Sequence, residues 1–242
     1  MKYGIIAAGE GSRLAHEGVA ESKPLVKICG ESLVDRLLRI FMDNGATTVA
    51  VICNGFMPDV ESHLSEISRN GLCGRKVPLE LVVRTTPSSM HSFFELSPYL
   101  EGGPFCLTTV DTIFREEEFT RYVDTFRREV ASGMDGVMGV TGYIDDEKPL
   151  YVGTDGNGMI NGFYDDPHDC HLISGGIYGL TPSSLGVLRH CVESGQSRMR
   201  NFQRALVSAG MRLKAFEFGK VLDIDHAADI AKAERFLEGP AI

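Results

Sequence analysis

The sequence predicts an α/β protein: a mostly parallel sheet with helices on both faces and a small antiparallel insertion. Three observations carry this. Short apolar runs alternate with amphipathic stretches across residues 2–131, and strand–helix alternation implies parallel strands joined by right-handed crossovers. After Gly133 the rhythm changes to short strand-like pieces split by turns. No linker, repeat or low-complexity tract interrupts the chain, so residues 1–242 read as one domain.

In order, residues 2–8 form a buried apolar strand that ends in the turn Gly9-Glu10-Gly11-Ser12. Residues 32–44 carry Leu33, Leu37, Ile40 and Phe41 at helical spacing, with Gly45 as the C-cap. A β-branched strand follows at 47–53, a helix at 58–69, a strand at 79–84 and a helix at 88–100. A strand at 104–110 and a helix at 115–131 complete the alternating part. The antiparallel pieces are 136–143, 150–154, 159–164 and 171–180, and Asp155-Gly156-Asn157-Gly158 is a hairpin turn. Helices at 183–192 and 199–209, a strand at 212–218 and a helix at 227–237 close the chain. Ligands of open α/β sheets sit beyond the carboxyl ends of the strands. The loops 9–13, 54–57, 85–90 and 111–114 should therefore line the site.

Composition narrows the function. The chain has 43% hydrophobic residues and no apolar run long enough to span a membrane. A net charge of −9 argues against a nucleic-acid or anionic-membrane partner. Six scattered cysteines and no secretory signal read as reduced thiols in a cytoplasmic protein. His168, Cys170 and His171 are too loosely spaced for a zinc site. Charge is unevenly spread: residues 143–169 hold seven acids against Lys148 alone, whereas residues 195–220 hold six cations against Glu217 alone. The basic stretch is the natural place to seek an anionic ligand.

The most informative segment is Ala8-Gly9-Glu10-Gly11-Ser12-Arg13-Leu14, followed by Lys23-Pro24-Leu25. Two glycines after a buried strand let the backbone approach a ligand and aim N–H groups at phosphate oxygens. Arg13 and Lys23 add cations for the same anion. The G-K-[ST] ending of a P-loop is absent, and Leu14 occupies the third glycine position of a dinucleotide fingerprint.

These residues resemble the nucleotidyltransferase superfamily of sugar-1-phosphate and related pyrophosphorylases, whose first strand runs into G-x-G-[ST]-R-[LM] and then K-P-[LM]. The resemblance extends over most of the chain. Thr85-Thr86-Pro87-Ser88-Ser89 is similar to the nucleobase loop, and Asp111 to a magnesium-binding aspartate. Ser174-Gly175-Gly176-Ile177-Tyr178 resembles the segment beside the acceptor, and Leu222-Asp223-Ile224-Asp225 the closing segment with the second metal carboxylate. The resemblance implies a Rossmann-like, GT-A-like sheet and a Mg²⁺-dependent enzyme. It implies an NTP held by Ala8, Gly9, Glu10, Gly11, Ser12, Arg13, Lys23, Thr86, Ser88 and Ser89, with Arg13, Lys23 and Asp111 catalytic. The metal would bind Asp111 with Asp223 or Asp225, and the acceptor would meet Gly175, Gly176 and Lys220. A monomer or simple homodimer is expected.

Two departures stand out. Val110 replaces the glycine usual before the metal aspartate. Asp165-Asp166-Pro167 stands where the family has E-K-P, whose lysine often holds the acceptor phosphate. Lys220, Lys148, Arg198 and Arg200 are the substitutes, with Lys220 favoured by its closeness to Asp223. Glu116, Glu117 and Glu118 read as structural, at a helix start.

Three functions compete. The first transfers a nucleotidyl group from an NTP to a phosphorylated small molecule, a sugar 1-phosphate or a phospho-alcohol such as phosphocholine. A glycosyltransferase using an NDP-sugar would have no use for the pyrophosphate-binding pair Arg13 and Lys23. A non-catalytic nucleotide-binding subunit would not need both Asp111 and Asp223.

Overall fold

The structure, a computed structural model, describes residues 1–145 and 147–239. Asp146 of the acidic stretch and the last three residues lie outside the described residues.

The first half is built from β1 (Lys2–Ala7), α1 (Ser12–His16), β2 (Lys27–Ile28), β3 (Glu31–Ser32), α2 (Leu33–Asp43) and β4 (Thr48–Cys53). It continues through α3 (Pro58–Asn70), β5 (Leu79–Val83), α4 (Ser89–Leu100), β6 (Phe105–Thr109), β7 (Thr112–Ile113) and α5 (Glu116–Ala131). Then come β8 (Gly136–Thr141), β9 (Tyr151–Thr154), β10 (Ile160–Tyr164) and β11 (Leu172–Leu180). The chain ends with α6 (Ser183–Glu193), α7 (Met199–Ser208), β12 (Leu213–Phe218), β13 (Leu222–Asp223) and α8 (Ala227–Glu238).

The nine-stranded sheet has the order β10-β9-β11-β6-β1-β4-β5, with β8 and β12 branching from β11. Strands β6, β1, β4 and β5 are parallel, whereas β11 is antiparallel to β6, β8 and β9. The sheet is the mostly parallel α/β arrangement with an antiparallel portion that the alternation predicts. The two-residue ladders β2–β3 and β7–β13 escaped the sequence reading because such short strands show no hydrophobic period.

Both faces of the sheet are covered. Tyr3, Ile5 and Ala7 point into one core with Val49, Val51 and residues of α2, α3 and α5. Ile6, Ala50 and Ile52 point into a second core with α4, α6 and α7. Successive side chains alternate between two apolar layers, so these strands read as continuous hydrophobic runs. The first core is organised by rings: Tyr3 stacks on Phe41 at 4.4 Å, Phe41 on Phe119 at 5.5 Å, and Phe119 on Phe114 at 4.8 Å. Arg36 is buried beneath them and donates to Glu116 Oε1 at 2.7 Å and to the Phe114 carbonyl at 2.8 Å. Glu116 thus ties α5 to α2, the structural role its position suggested.

Strand β11 positions the site. Along one edge it pairs with β8; along the other it pairs first with β9, Ile173 opposite Tyr151, and then with β6, Ile177 opposite Thr108. The register slips between Ser174 and Ile177. Gly176 sits in this bulge at φ +69°, and a Cβ there would come within 3.1 Å of Thr112 Oγ1. On its other edge β11 changes partner here from β9 to β6, which forks the sheet.

Phe119→Ala removes the ring stacked on both Phe41 and Phe114. We expect a loss of about 3–5 kcal/mol in urea-induced unfolding. Phe56→Ala, at a residue 81% exposed, should change stability by less than about 0.5 kcal/mol.

Candidate active site

A cavity of about 420 Å³ opens at the carboxyl ends of β1 and β6. One wall is the loop Ala8, Gly9, Glu10, Gly11, Ser12 and Arg13; the opposite wall is Thr86, Pro87, Ser88, Ser89 and Ser92; Asp111, Lys23 and Asp225 close the end. All the residues the sequence assigned to nucleotide binding therefore meet in one place. Gly11 adopts φ +62°, and a Cβ on it would meet Lys23 Cβ at 2.9 Å. Only glycine allows both that backbone and the approach of the lysine.

The 54–57 loop does not line the cavity, contrary to expectation. Instead, Asn54 works from behind: its Nδ2 donates to the Ala8 carbonyl at 3.3 Å, and its Oδ1 accepts from Thr85 Oγ1 at 2.6 Å. Buried Asn54 thus links the glycine loop to the Thr86–Ser89 wall. Thr86 Oγ1 lies 2.6 Å from Ser92 Oγ, fixing that wall to α4.

Lys23 is the electrostatic centre. It is 8% exposed, and its ammonium pairs with Asp111 Oδ2 and, at 2.9 Å, with Asp225 Oδ1. The other oxygen of Asp225 accepts from Arg13 Nη1 at 2.9 Å. Burial works against the lysine charge, but the two carboxylates outweigh it and raise its pKa. Burial likewise works against the Asp225 charge; Lys23 and Arg13 prevail and hold its pKa below the usual carboxylate value.

Local chain geometry brings these groups together. β13 pairs with β7, Asp223 opposite Thr112, and the Ile224 N–H donates to the Asp111 carbonyl at 3.1 Å. Asp225 and Asp111 are thereby neighbours despite their distance in sequence. The next residues are held from both sides. Asp229 Oδ2 accepts from the N–H groups of Asp225 and His226, and Glu17 accepts from His226 Nδ1 at 2.6 Å and Ala227 N at 2.7 Å. The Glu17 hydrogen bond raises the His226 pKa. Glu17 was invisible to sequence reading because its partners are more than two hundred positions away; Asp229 forms a capping box with His226, an N-cap other than the Ser or Thr that marks such a box in sequence.

A second cavity, of about 230 Å³, adjoins the first and shares Arg13 and Asp225 with it. It lies at the fork beside β11, where Ser174, Gly175, Asp223 and Tyr143 face it, with Lys148 and Lys232 on its rim. Of the residues assigned to the acceptor, Gly175 lines this cavity, together with the metal candidate Asp223. Gly176 packs against Thr112 instead, and Lys220 lines neither cavity: its ammonium lies 4.1 Å from the Tyr143 ring centre. Lys232 was missed, because nothing in a lysine on an amphipathic helix marks it as facing a cavity. It pairs with Asp145.

No residue of the basic stretch lines the first cavity. Arg200 and Arg204 pair with Asp165 at 2.6 and 2.7 Å, Lys214 with Glu129 at 2.7 Å, and Arg212 donates to the Gly133 carbonyl at 3.3 Å. These four cations are engaged in fold contacts, and the cations that line the first cavity are Arg13 and Lys23.

The structure resembles solved nucleotide-handling proteins over nearly its whole length. An inositol-1-phosphate CTP transferase from T. maritima superposes with a TM-score of 0.75 at 21% identity, covering 100% of this chain and 98% of that one. A putative glucose-1-phosphate thymidylyltransferase from Bacillus anthracis has a TM-score of 0.83 at 15% identity, covering 100% and 97%. A UDP-glucose pyrophosphorylase complexed with UDP-glucose has a TM-score of 0.79 at 14% identity, covering 97% of each chain. At these identities the likeness establishes the fold. The sequence profile of the nucleotidyl transferase family matches residues 3–239, and the chain belongs to that family.

Proposed function

We propose that this nucleotidyltransferase joins an NTP to a sugar 1-phosphate or a closely related phosphorylated polyol and releases pyrophosphate. The observation that carries the reading is the pair of adjoining polar cavities that share Arg13 and Asp225. Such a pair suits two anionic substrates meeting at one phosphorus. The names of the superposing proteins, which specify inositol 1-phosphate, glucose 1-phosphate and UDP-glucose, support the acceptor class. One observation favours a cationic phospho-alcohol such as phosphocholine as the alternative. Five carboxylates, from Asp145, Glu147, Asp223, Asp225 and Asp229, face three lysine or arginine side chains around the second cavity.

The chemistry asks little of the protein beyond placement and charge. A phosphomonoester has its second pKa near ~6, so at neutral pH it is a ready nucleophile and needs no general base. An acceptor oxygen attacks the α-phosphorus, the bond from that phosphorus to the bridging oxygen breaks, and pyrophosphate leaves with the electron pair. The Gly9–Ser12 backbone and Arg13 line the first cavity and would offset that developing charge, where donors contribute most. Thr86, Ser88 and Ser89 face the opposite wall and suit a base. Fixing both reactants across shared walls supplies the orientation that drives the step.

The residues present also fit Mg²⁺. Asp111 and Asp225 already converge on one cation, the Lys23 ammonium, and carboxylate oxygens suit a hard ion. Among the described residues no three His, Cys, Asp or Glu form a cage. That agrees with the habit of Mg²⁺ of taking one or two carboxylates and leaving the remaining positions to water and phosphate. Bound there, the ion would offset charge on the α-phosphate and the leaving group. Asp225 is favoured over Asp223 because it faces both cavities, whereas Asp223 faces only the second.

Pyrophosphate release, screened with four NTPs against phosphorylated sugars, polyols and alcohols, should identify at least one active pair; none would refute the proposal. Asp111→Asn should abolish turnover while leaving the far-UV circular dichroism unchanged. Chelation with EDTA should stop release and Mg²⁺ should restore it. Asp225→Asn should raise the Mg²⁺ needed for half-maximal rate by more than about tenfold, against less than about threefold for Asp223→Asn. The reverse order would assign the second carboxylate to Asp223.

A further inference from the structure

The segment after β10 lacks the expected acceptor lysine: Asp166 stands in its place, and Asp165 in the place of the glutamate before it. Asp165 lines neither cavity. Its Oδ1 accepts from Arg200 Nη1 at 2.6 Å and its Oδ2 pairs with Arg204 Nη2 at 2.7 Å, both arginines lying on one face of α7. Arg204 Nε also donates to the Phe163 carbonyl at 3.1 Å. The carboxylate is thus spent on docking the β9–β10 hairpin against α7.

The same arginine reaches the other leg of the hairpin. Arg200 Nη2 donates to the Lys148 carbonyl at 3.0 Å. Two residues later the Leu150 carbonyl accepts from the Ser174 N–H at 2.9 Å, and Ser174 Oγ donates to buried Gln203 of α7 at 2.8 Å. Tyr151 lies opposite Tyr164 in the hairpin. The chain therefore enters through Glu147-Lys148-Pro149 and leaves through Asp165-Asp166-Pro167 side by side. The lysine stands on the entering leg, its side chain on the rim of the second cavity with Arg13 and Lys232.

We propose that Lys148 holds the acceptor phosphate and that Arg200 and Asp165 are positioning residues that fix the backbone carrying it. This rests on reading the second cavity as the acceptor site. An exposed lysine on an unanchored loop would contribute little, because ordering its long side chain and its backbone costs entropy. Here the main chain is gripped at Lys148 by Arg200 and at Leu150 by Ser174, so less ordering is left for binding to supply. The lysine stands on the entering leg, and the arginines of α7 neutralise Asp165 on the leaving leg.

The test uses the full chain and the acceptor that gives most pyrophosphate in the screen. Lys148→Met should raise the acceptor KM about tenfold or more, with the NTP KM changed less than about twofold, as loss of a charge-assisted phosphate contact predicts. Lys148→Arg should restore most of the loss. Arg200→Gln and Asp165→Asn should raise the same KM severalfold, and Lys148→Met combined with Arg200→Gln should be no worse than Lys148→Met alone. Acceptor KM within about twofold of the unaltered protein in Lys148→Met, or equal rises in both KM values, overturns the proposal.

If no acceptor releases pyrophosphate, the functional reading fails, and inorganic phosphate decides the Lys148 assignment. Titrated into the protein with the nucleotide cavity filled by a non-hydrolysable NTP analogue, it should shift the amide resonances of Lys148, Ser174 and Lys232, and Lys148→Met should abolish those shifts. Unchanged shifts in the variant, or none in the unaltered protein, overturn the assignment.

Discussion

The site depends on one buried ammonium. Lys23 is enclosed by the glycine loop on one side and by Asp111 and Asp225 on the other. A buried lysine charge is tolerable only with partners at hand, since an unpaired ion loses several kcal/mol of solvation. The constraint runs in both directions. The lysine needs the two carboxylates, so the β7–β13 ladder must bring residues 111 and 225 together. It also needs a glycine at position 11, because any side chain there would strike its own Cβ. Three segments remote in sequence are thereby locked at the junction of two cavities.

What the sequence made legible was what repeats or what is local. The alternating strands and helices carry a period over many residues, so the α/β class, most elements and the two-faced burial of β1 and β4 could be read directly. The glycine loop and the Thr86–Ser89 wall are continuous segments whose residue types state their chemistry. Asn54, Glu17 and Lys232 could not be read this way. Each is a single polar residue whose meaning lies in a partner brought near by the fold: the Ala8 carbonyl, His226, and the cavity beside Tyr143. That Asp225 rather than Asp223 lies against Lys23 was not legible for a related reason. Two positions apart, they are separated only by which of them the β7–β13 pairing turns toward Lys23.

Charge patterning misled for a physical reason. A dense basic stretch next to a dense acidic one in an acidic chain suggests an anion site, but a folded chain can satisfy the two against each other. Arg200 and Arg204 do this with Asp165, and they fix the hairpin in the process. Such half-exposed pairs add little stability individually. Their effect is geometric: two parallel donors on a planar group define one orientation of the chain.

The same reasoning applies at the centre of the site. Arg13 and Lys23 are the cations best placed for a triphosphate, yet both are paired with carboxylates. Under the proposed function, either residue can take up phosphate oxygens at full strength only if Asp111 and Asp225 acquire another cation. A triphosphate arriving alone would instead place its charge beside two carboxylates whose positive partners are already engaged. The protein's own ion pairs therefore favour a nucleotide that arrives with its counter-ion, and they hold the carboxylates in position until it does.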